Sequence, residues 1–125
     1  TQYAGTRQIA ATVIDGVCRD VNKALSDGYP IFSKGRFMRT GKDRVQVQSV
    51  NQPVSIGTAR VCSRDIVVAD ANGVVIVPRD RAREVAAVAR HIESVETDIR
   101  ELLSQGQTLK EARAALGYYH LQRKA

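Results

Sequence analysis

The tightest constraint on the fold lies between Asp65 and Leu102. Asp65-Ile-Val-Val-Ala-Asp70 and Val74-Val-Ile-Val77 are two apolar, β-branched runs joined by Ala71-Asn72-Gly73. β-Branched residues suit a pleated strand. Asn-Gly is a strong hairpin signal, because both residues tolerate positive φ. Pro78 cannot donate to a ladder and ends the second strand. A long helix follows, with apolar residues at Val85, Val88, Ile92, Val95, Ile99 and Leu102. Steps of three and four residues make a narrow seam. Such a seam suits packing on another helix or subunit, and packing on the protein's own sheet is equally open.

The rest of the chain alternates strands and helices around this unit. Ile9 to Ile14 reads as a short buried strand ended by Asp15-Gly16. A helix opens at Arg19 or Asp20, runs through Leu25 and stops at Asp27-Gly28. Tyr29-Pro30 leads into a short strand at Ile31-Phe32, and Ser33 to Arg44 forms a basic, glycine-containing loop. Val45 to Val50 alternates in the manner of a half-buried strand. Pro53 to Ile56 and Ala59 to Cys62 are further short strands joined at Gly57. Gln105-Gly106 ends the long helix. Thr108-Leu-Lys-Glu111 has capping-box spacing, which predicts a last helix to Leu116 with Gly117 as its stop. The tail, Tyr118 to Ala125, is polar and basic and either docks or frays. The expected class is α/β: a mixed sheet with packed helices and a long C-terminal helix. Residues 1–104 form the main body and residues 105–125 a short helix and tail.

Composition narrows the setting. At 125 residues, 43% hydrophobic and 26% charged, the chain suits one ordinary soluble domain. No apolar run reaches membrane-spanning length, and Thr1 to Gln8 lacks the basic-then-apolar order of a secretory leader, so no membrane partner is expected. Cys18 and Cys62 lie far apart with no CxxC pair, which argues against zinc or a disulfide framework and for reduced thiols in the cytoplasm. The net charge of +6 gathers at Lys34, Arg36, Arg39, Lys42 and Arg44. That allows an acidic partner, but aromatics are 5% and Trp is absent, so a stacking platform for nucleic acid is not expected.

The residues able to carry chemistry are few. Val13-Ile-Asp-Gly-Val-Cys-Arg-Asp20 takes an apolar strand through a glycine turn to an Arg and an Asp at a helix start. Backbone N–H groups at such a junction receive anions. Arg19 offers a planar fork to a carboxylate, and Asp20 offers hard oxygen to Mg²⁺ or Mn²⁺. The same pair at a helix start more often caps the helix and carries a solvated charge. Gly35 to Lys42 fails as a phosphate loop. Five residues separate its glycines where that loop has four, and Asp43 stands where it has Ser or Thr. His91 and His120 are isolated from each other and match no metal or triad motif.

Four ordered segments then carry a resemblance. Val13 to Asp20 resembles the signature of the 4-hydroxy-4-methyl-2-oxoglutarate aldolase family. That family includes the regulators of ribonuclease E activity (RraA-like proteins) and members long mislabelled dimethylmenaquinone methyltransferases. Gly28-Tyr-Pro-Ile-Phe-Ser-Lys-Gly35, Asn51-Gln-Pro-Val54 and Asp65 to Pro78 resemble its later segments in the same order. The resemblance covers about Ile9 to Leu102.

The resemblance implies a swivelling β/β/α domain assembled as a homotrimer or hexamer with sites between subunits. It makes Asp20 the metal ligand, for Mg²⁺ or Mn²⁺, and Arg19 the residue that holds a pyruvate-like carboxylate and carbonyl. Asp15 falls where the regulators often have Asn, and takes no chemical role. The family's acidic residue on a glycine loop would lie before Thr1, as would its N-terminal glutamates. We therefore expect the chain to be the C-terminal part of such a domain. The implied activity is metal-dependent retro-aldol cleavage of a small 2-oxo acid, with oxaloacetate decarboxylation as related chemistry. The alternative is a non-catalytic regulator that binds a ribonuclease, and a nucleic-acid binder ranks last.

Overall fold

The computed structural model describes residues 1–121. It comprises two compact units, Thr1–Arg79 and a second beginning at Asp80. The α/β class is observed. The first unit contains α1 (Gln2–Thr6), β1 (Thr12–Cys18), α2 (Val21–Ser26), β2 (Ile31–Arg36), β3 (Val54–Ile56), β4 (Ala59–Val61), β5 (Ile66–Asp70) and β6 (Gly73–Val77). Pairing is mixed in sense: β1 and β2 are parallel, β3–β4 and β5–β6 antiparallel. The strands form three two-stranded ladders in place of one continuous sheet.

β1, α2 and β2 make a compact strand–helix–strand unit, the connection that two parallel strands require. β1 continues through Asp15-Gly16, where the sequence pattern predicts its end. The register shows how. Ile14 pairs with Ser33 and Val17 with Gly35, so β1 carries one extra residue between those rungs. That is a β-bulge, which bends the strand without ending it. β2 likewise extends past Phe32 to Arg36, so Lys34 and Arg36 belong to a strand and not to the basic loop.

The hairpin forms as expected, with its turn moved by one position. Asp70 pairs with Gly73, which leaves Ala71-Asn72 as the two turn residues. Asn72 keeps a negative φ, and Gly73 takes the φ of 152° that glycine tolerates. Asp70 closes the turn through its carboxylate, accepting from Asn72 N at 2.7 Å.

The expected strand at Val45 to Val50 does not form. Those residues are irregular and open, with Val47 81% exposed. Alternation supplies a strand pattern, but a strand also needs a neighbour to complete its hydrogen bonds, and none is present among the described residues.

The second unit holds α3 (Ala82–Ser104), α4 (Leu109–Ala115) and a 3₁₀ turn at Tyr118–His120. Val95, Ile99 and Ala112 form its core, with Leu102, Leu116, Tyr118 and Leu121 packed against them. The C-terminal half of the α3 seam is thus covered by the chain's own next helix. The N-terminal half is not, and Val88 is 51% exposed. Thr108 caps α4 in the predicted capping box with Glu111. Of the predicted tail, Tyr118 to Leu121 docks on this core, and residues 122–125 lie outside the described residues. No described helix is long and apolar enough to cross a membrane.

Burial is sparse. Among the described residues, Ala24, Val77, Val95, Ile99 and Ala112 are the buried hydrophobic ones. The chain exposes 10543 Å², where two separately folded units of these sizes would expose about 8,000 Å² on the usual scaling of surface with mass.

Candidate functional site

Arg19 and Asp20 occupy the step from β1 to α2. Arg19 Nε lies 3.3 Å from Asp20 Oδ2, and both side chains are largely exposed, Asp20 at 71%. Asp20 is the N-cap of α2 in the left-handed conformation, with φ 60° and ψ 32°, and its carboxylate makes no capping hydrogen bond. The carboxylate is therefore left to Arg19 and to solvent, and capping does not account for it. Gln8, Asp43, Asn51 and Arg64 also have positive φ, so the backbone alone does not single out Asp20. The surroundings do. Two clefts flank it, of about 600 and 510 Å³. One is lined by Asp20, Val21, Asn22, Lys23 and Arg36, the other by Cys18, Arg19, Asp20, Arg36, Phe37 and their neighbours.

Asp20 is the carboxylate these clefts offer a metal. Among the described residues no three His, Cys, Asp or Glu side chains come together as a ligand group. Mg²⁺ keeps several waters and takes one or two carboxylates along with substrate oxygens. A single exposed carboxylate paired only with a guanidinium fits an ion of that kind as one anchor, and does not fit a dehydrated all-protein cage.

A larger cavity of about 660 Å³ lies beside this step. It is lined by β1, α2, β2, the β3–β4 turn and the tip of the β5–β6 hairpin, and reaches Cys18 and Arg36 but neither Arg19 nor Asp20. Its wall is mainly apolar, with one ion pair. Lys34 Nζ stands 2.5 Å from Asp15 Oδ1. The Lys34 ammonium holds the Asp15 carboxyl below the usual carboxylate range, the Gly57 N–H adds to this, and partial desolvation opposes it. Sequence reasoning left Asp15 without a role. The pair depends on the parallel register and the bulge, which no local motif announces. Nearby, Cys18 Sγ and Ser33 Oγ are 3.2 Å apart, and Ser33 Oγ donates to Gly35 O. Lys42 and Arg44 turn on themselves, with Arg44 Nη1 donating to Thr40 O at 3.3 Å.

Comparison with known proteins identifies the lineage. The RraA-like family model, described as Aldolase/RraA, matches residues 1–76. The chain belongs to the RraA-like family. Among relatives of this RraA-like chain, Protein DlpA of Legionella pneumophila is 37% identical over 90% of the chain and 18% of DlpA. A Halalkalibacterium halodurans protein called "Putative 4-hydroxy-4-methyl-2-oxoglutarate aldolase" is 31% identical over 70% of the chain and 41% of that protein. The crystal structure of an uncharacterized Pseudomonas syringae protein superposes with a TM-score of 0.85 at 41% identity, over 90% of the chain and 56% of that structure. The chain thus spans about half or less of the length of these relatives.

Proposed function

We propose that the protein is a divalent-metal-dependent lyase acting on small 2-oxo acids, cleaving 4-hydroxy-4-methyl-2-oxoglutarate to pyruvate and decarboxylating oxaloacetate. The observation that carries this reading is the uncapped Asp20 carboxylate held beside Arg19 between two clefts, in a chain of the RraA-like family. The name of the Halalkalibacterium relative points the same way.

In the retro-aldol step the C3–C4 bond breaks. The 4-hydroxyl gives up its proton and becomes a ketone, and the bonding pair passes to C3 as a pyruvate enolate that is then protonated. Negative charge builds on the 2-oxo oxygen. A bound Mg²⁺ or Mn²⁺ supplies Lewis-acid stabilisation of that charge, and Asp20 would hold the ion. Arg19 binds the substrate's C1 carboxylate and donates towards the 2-oxo oxygen, where a fixed cation lowers the barrier. Decarboxylation of oxaloacetate leaves the same enolate. A water in the cleft would take the 4-hydroxyl proton, and water returns a proton to C3 of the enolate.

The assembly that we propose is a homotrimer or hexamer in the cytoplasm. The support is membership of the RraA-like family, for which the sequence resemblance implies that assembly.

The test is Mg²⁺- or Mn²⁺-dependent pyruvate release from 4-hydroxy-4-methyl-2-oxoglutarate and from oxaloacetate, using full-length protein with Asp20→Asn and Arg19→Ala as controls. Release that needs the metal and is lost in both variants is the expected result. Release from neither substrate would sink the lyase reading and move the assignment to a regulator that binds a ribonuclease.

A further inference from the structure

Arg36 is the last residue of β2, and its register partner is Cys18, the last residue of β1. Phe37 N–H donates to Cys18 O at 2.9 Å, so the ladder holds up to the point where Arg19 and Asp20 leave β1. The backbone of Arg36 is thereby fixed beside that pair. Arg36 lines both clefts that Asp20 lines.

The other cations lining these clefts, Arg19 and Lys23, each face a carboxylate of the chain, and Arg19 is the one given the first substrate carboxylate. Arg19 is paired with Asp20, and Lys23 with Asp27. Lys34, two residues before Arg36, is paired with Asp15. Arg36 has no carboxylate partner and no side-chain hydrogen bond among the described residues. Its planar fork of donors is thus open to an anion entering either cleft, and a guanidinium takes a carboxylate bidentately.

We infer that Arg36 is a specificity-determining residue that takes the second, distal carboxylate of a dianionic 2-oxo acid. The inference rests on the reading of Arg19 and Asp20 given above. A monoanion such as pyruvate has one carboxylate, which goes to Arg19. A dianion has a second, and Arg36 is the cation lining these clefts that no carboxylate of the described residues pairs. Arg36 therefore separates dicarboxylic from monocarboxylic 2-oxo acids.

The test is calorimetric binding of two uncleaved probes, 2-oxoglutarate and pyruvate, to full-length protein in Mg²⁺ buffer. Arg36→Gln should weaken 2-oxoglutarate by about 10- to 100-fold, the range of a lost charged hydrogen-bond pair, and leave pyruvate unchanged. Arg36→Lys, which keeps the charge and loses the fork, should fall between. Equal weakening of both probes, no change in either, or a wild-type protein that binds neither would overturn the assignment. Arg19→Gln separates the two claims. Under the lyase reading it weakens both probes. If it weakens neither while Arg36→Gln still weakens only 2-oxoglutarate, the role given to Arg19 fails and the Arg36 carboxylate site stands.

Discussion

Lys34 Nζ lies 2.5 Å from Asp15 Oδ1 and ties β2 to β1 at the β-bulge. The bulge sits four residues before Arg19, so this ion pair fixes the path of the chain into the Arg19–Asp20 step. A bulge re-aims the residues around it. Here the Asp15 carboxylate takes a cation from β2, and the Gly57 N–H in the β3–β4 turn helps to hold its pKa down.

That pairing predicts an acid dependence. The Asp15 pKa is lowered in the folded protein, chiefly by Lys34. A carboxyl lowered on folding stabilises the fold above its unfolded pKa of about 3.9, and that contribution is lost as pH falls through the lower folded value. Asp27, Asp70, Glu84 and Glu111 are lowered too and act with the same sign. Denaturant midpoints measured from about pH 6 down to about pH 3 should therefore fall in the wild type and fall less steeply in Asp15→Asn. Lys34→Met should flatten the same limb. An unchanged slope in both variants would mean that the pair does not form in solution.

The left-handed backbone of Asp20 orders its substitutions. Its φ of 60° suits glycine at no cost and tolerates Asn or Asp better than other residues. Asp20→Gly and Asp20→Asn should keep or slightly raise stability. Asp20→Ala should be less stable than Asp20→Gly by about 1 kcal/mol, because alanine gains neither local hydrogen bonding nor glycine's freedom. Chemical denaturation of the three variants checks the order. A carboxylate needed for metal binding makes all three fail alike in metal titration, so the two readouts separate backbone from ligand.

What was legible in the sequence was local. The separate elements β1, α2 and β2, the hairpin and the Thr108 capping box each rest on residues close in sequence, and all are present. What failed needed a distant partner. Val45 to Val50 has a strand's alternation but no neighbour in the described chain. β1 outran its predicted end because pairing with β2 carried it through Asp15-Gly16. Of the site, Arg19 and Asp20 were legible as adjacent residues at a strand-to-helix step. Three features were not: the positive φ of Asp20, the approach of Lys34 to Asp15, and the place of Arg36 at the end of the ladder. These depend on register between strands joined by a helix, and a register shift of one residue would reverse which side chains meet.

The α3–α4 core yields the sharpest stability contrast. Ile99 is 6% exposed and packs with Val95 and the fully buried Ala112. Ile99→Ala removes buried methyl groups and leaves a cavity between two helices, and should cost about 2–5 kcal/mol. Val88 lies on the same seam three turns earlier and is half exposed, so Val88→Ala should cost less than about 1 kcal/mol. Thr108 anchors the second helix, accepting from Glu111 N at 3.3 Å while Glu111 Oε2 accepts from Thr108 N at 3.0 Å. Thr108→Ala should cost about 1 kcal/mol, and Thr108→Asp should recover most of it, since both residues cap well. Denaturant unfolding of the four variants measures this directly. A large loss at Val88 would show that the N-terminal half of the seam is covered in solution by a second surface, and equal losses at Ile99 and Val88 would mean that α4 does not shield the seam.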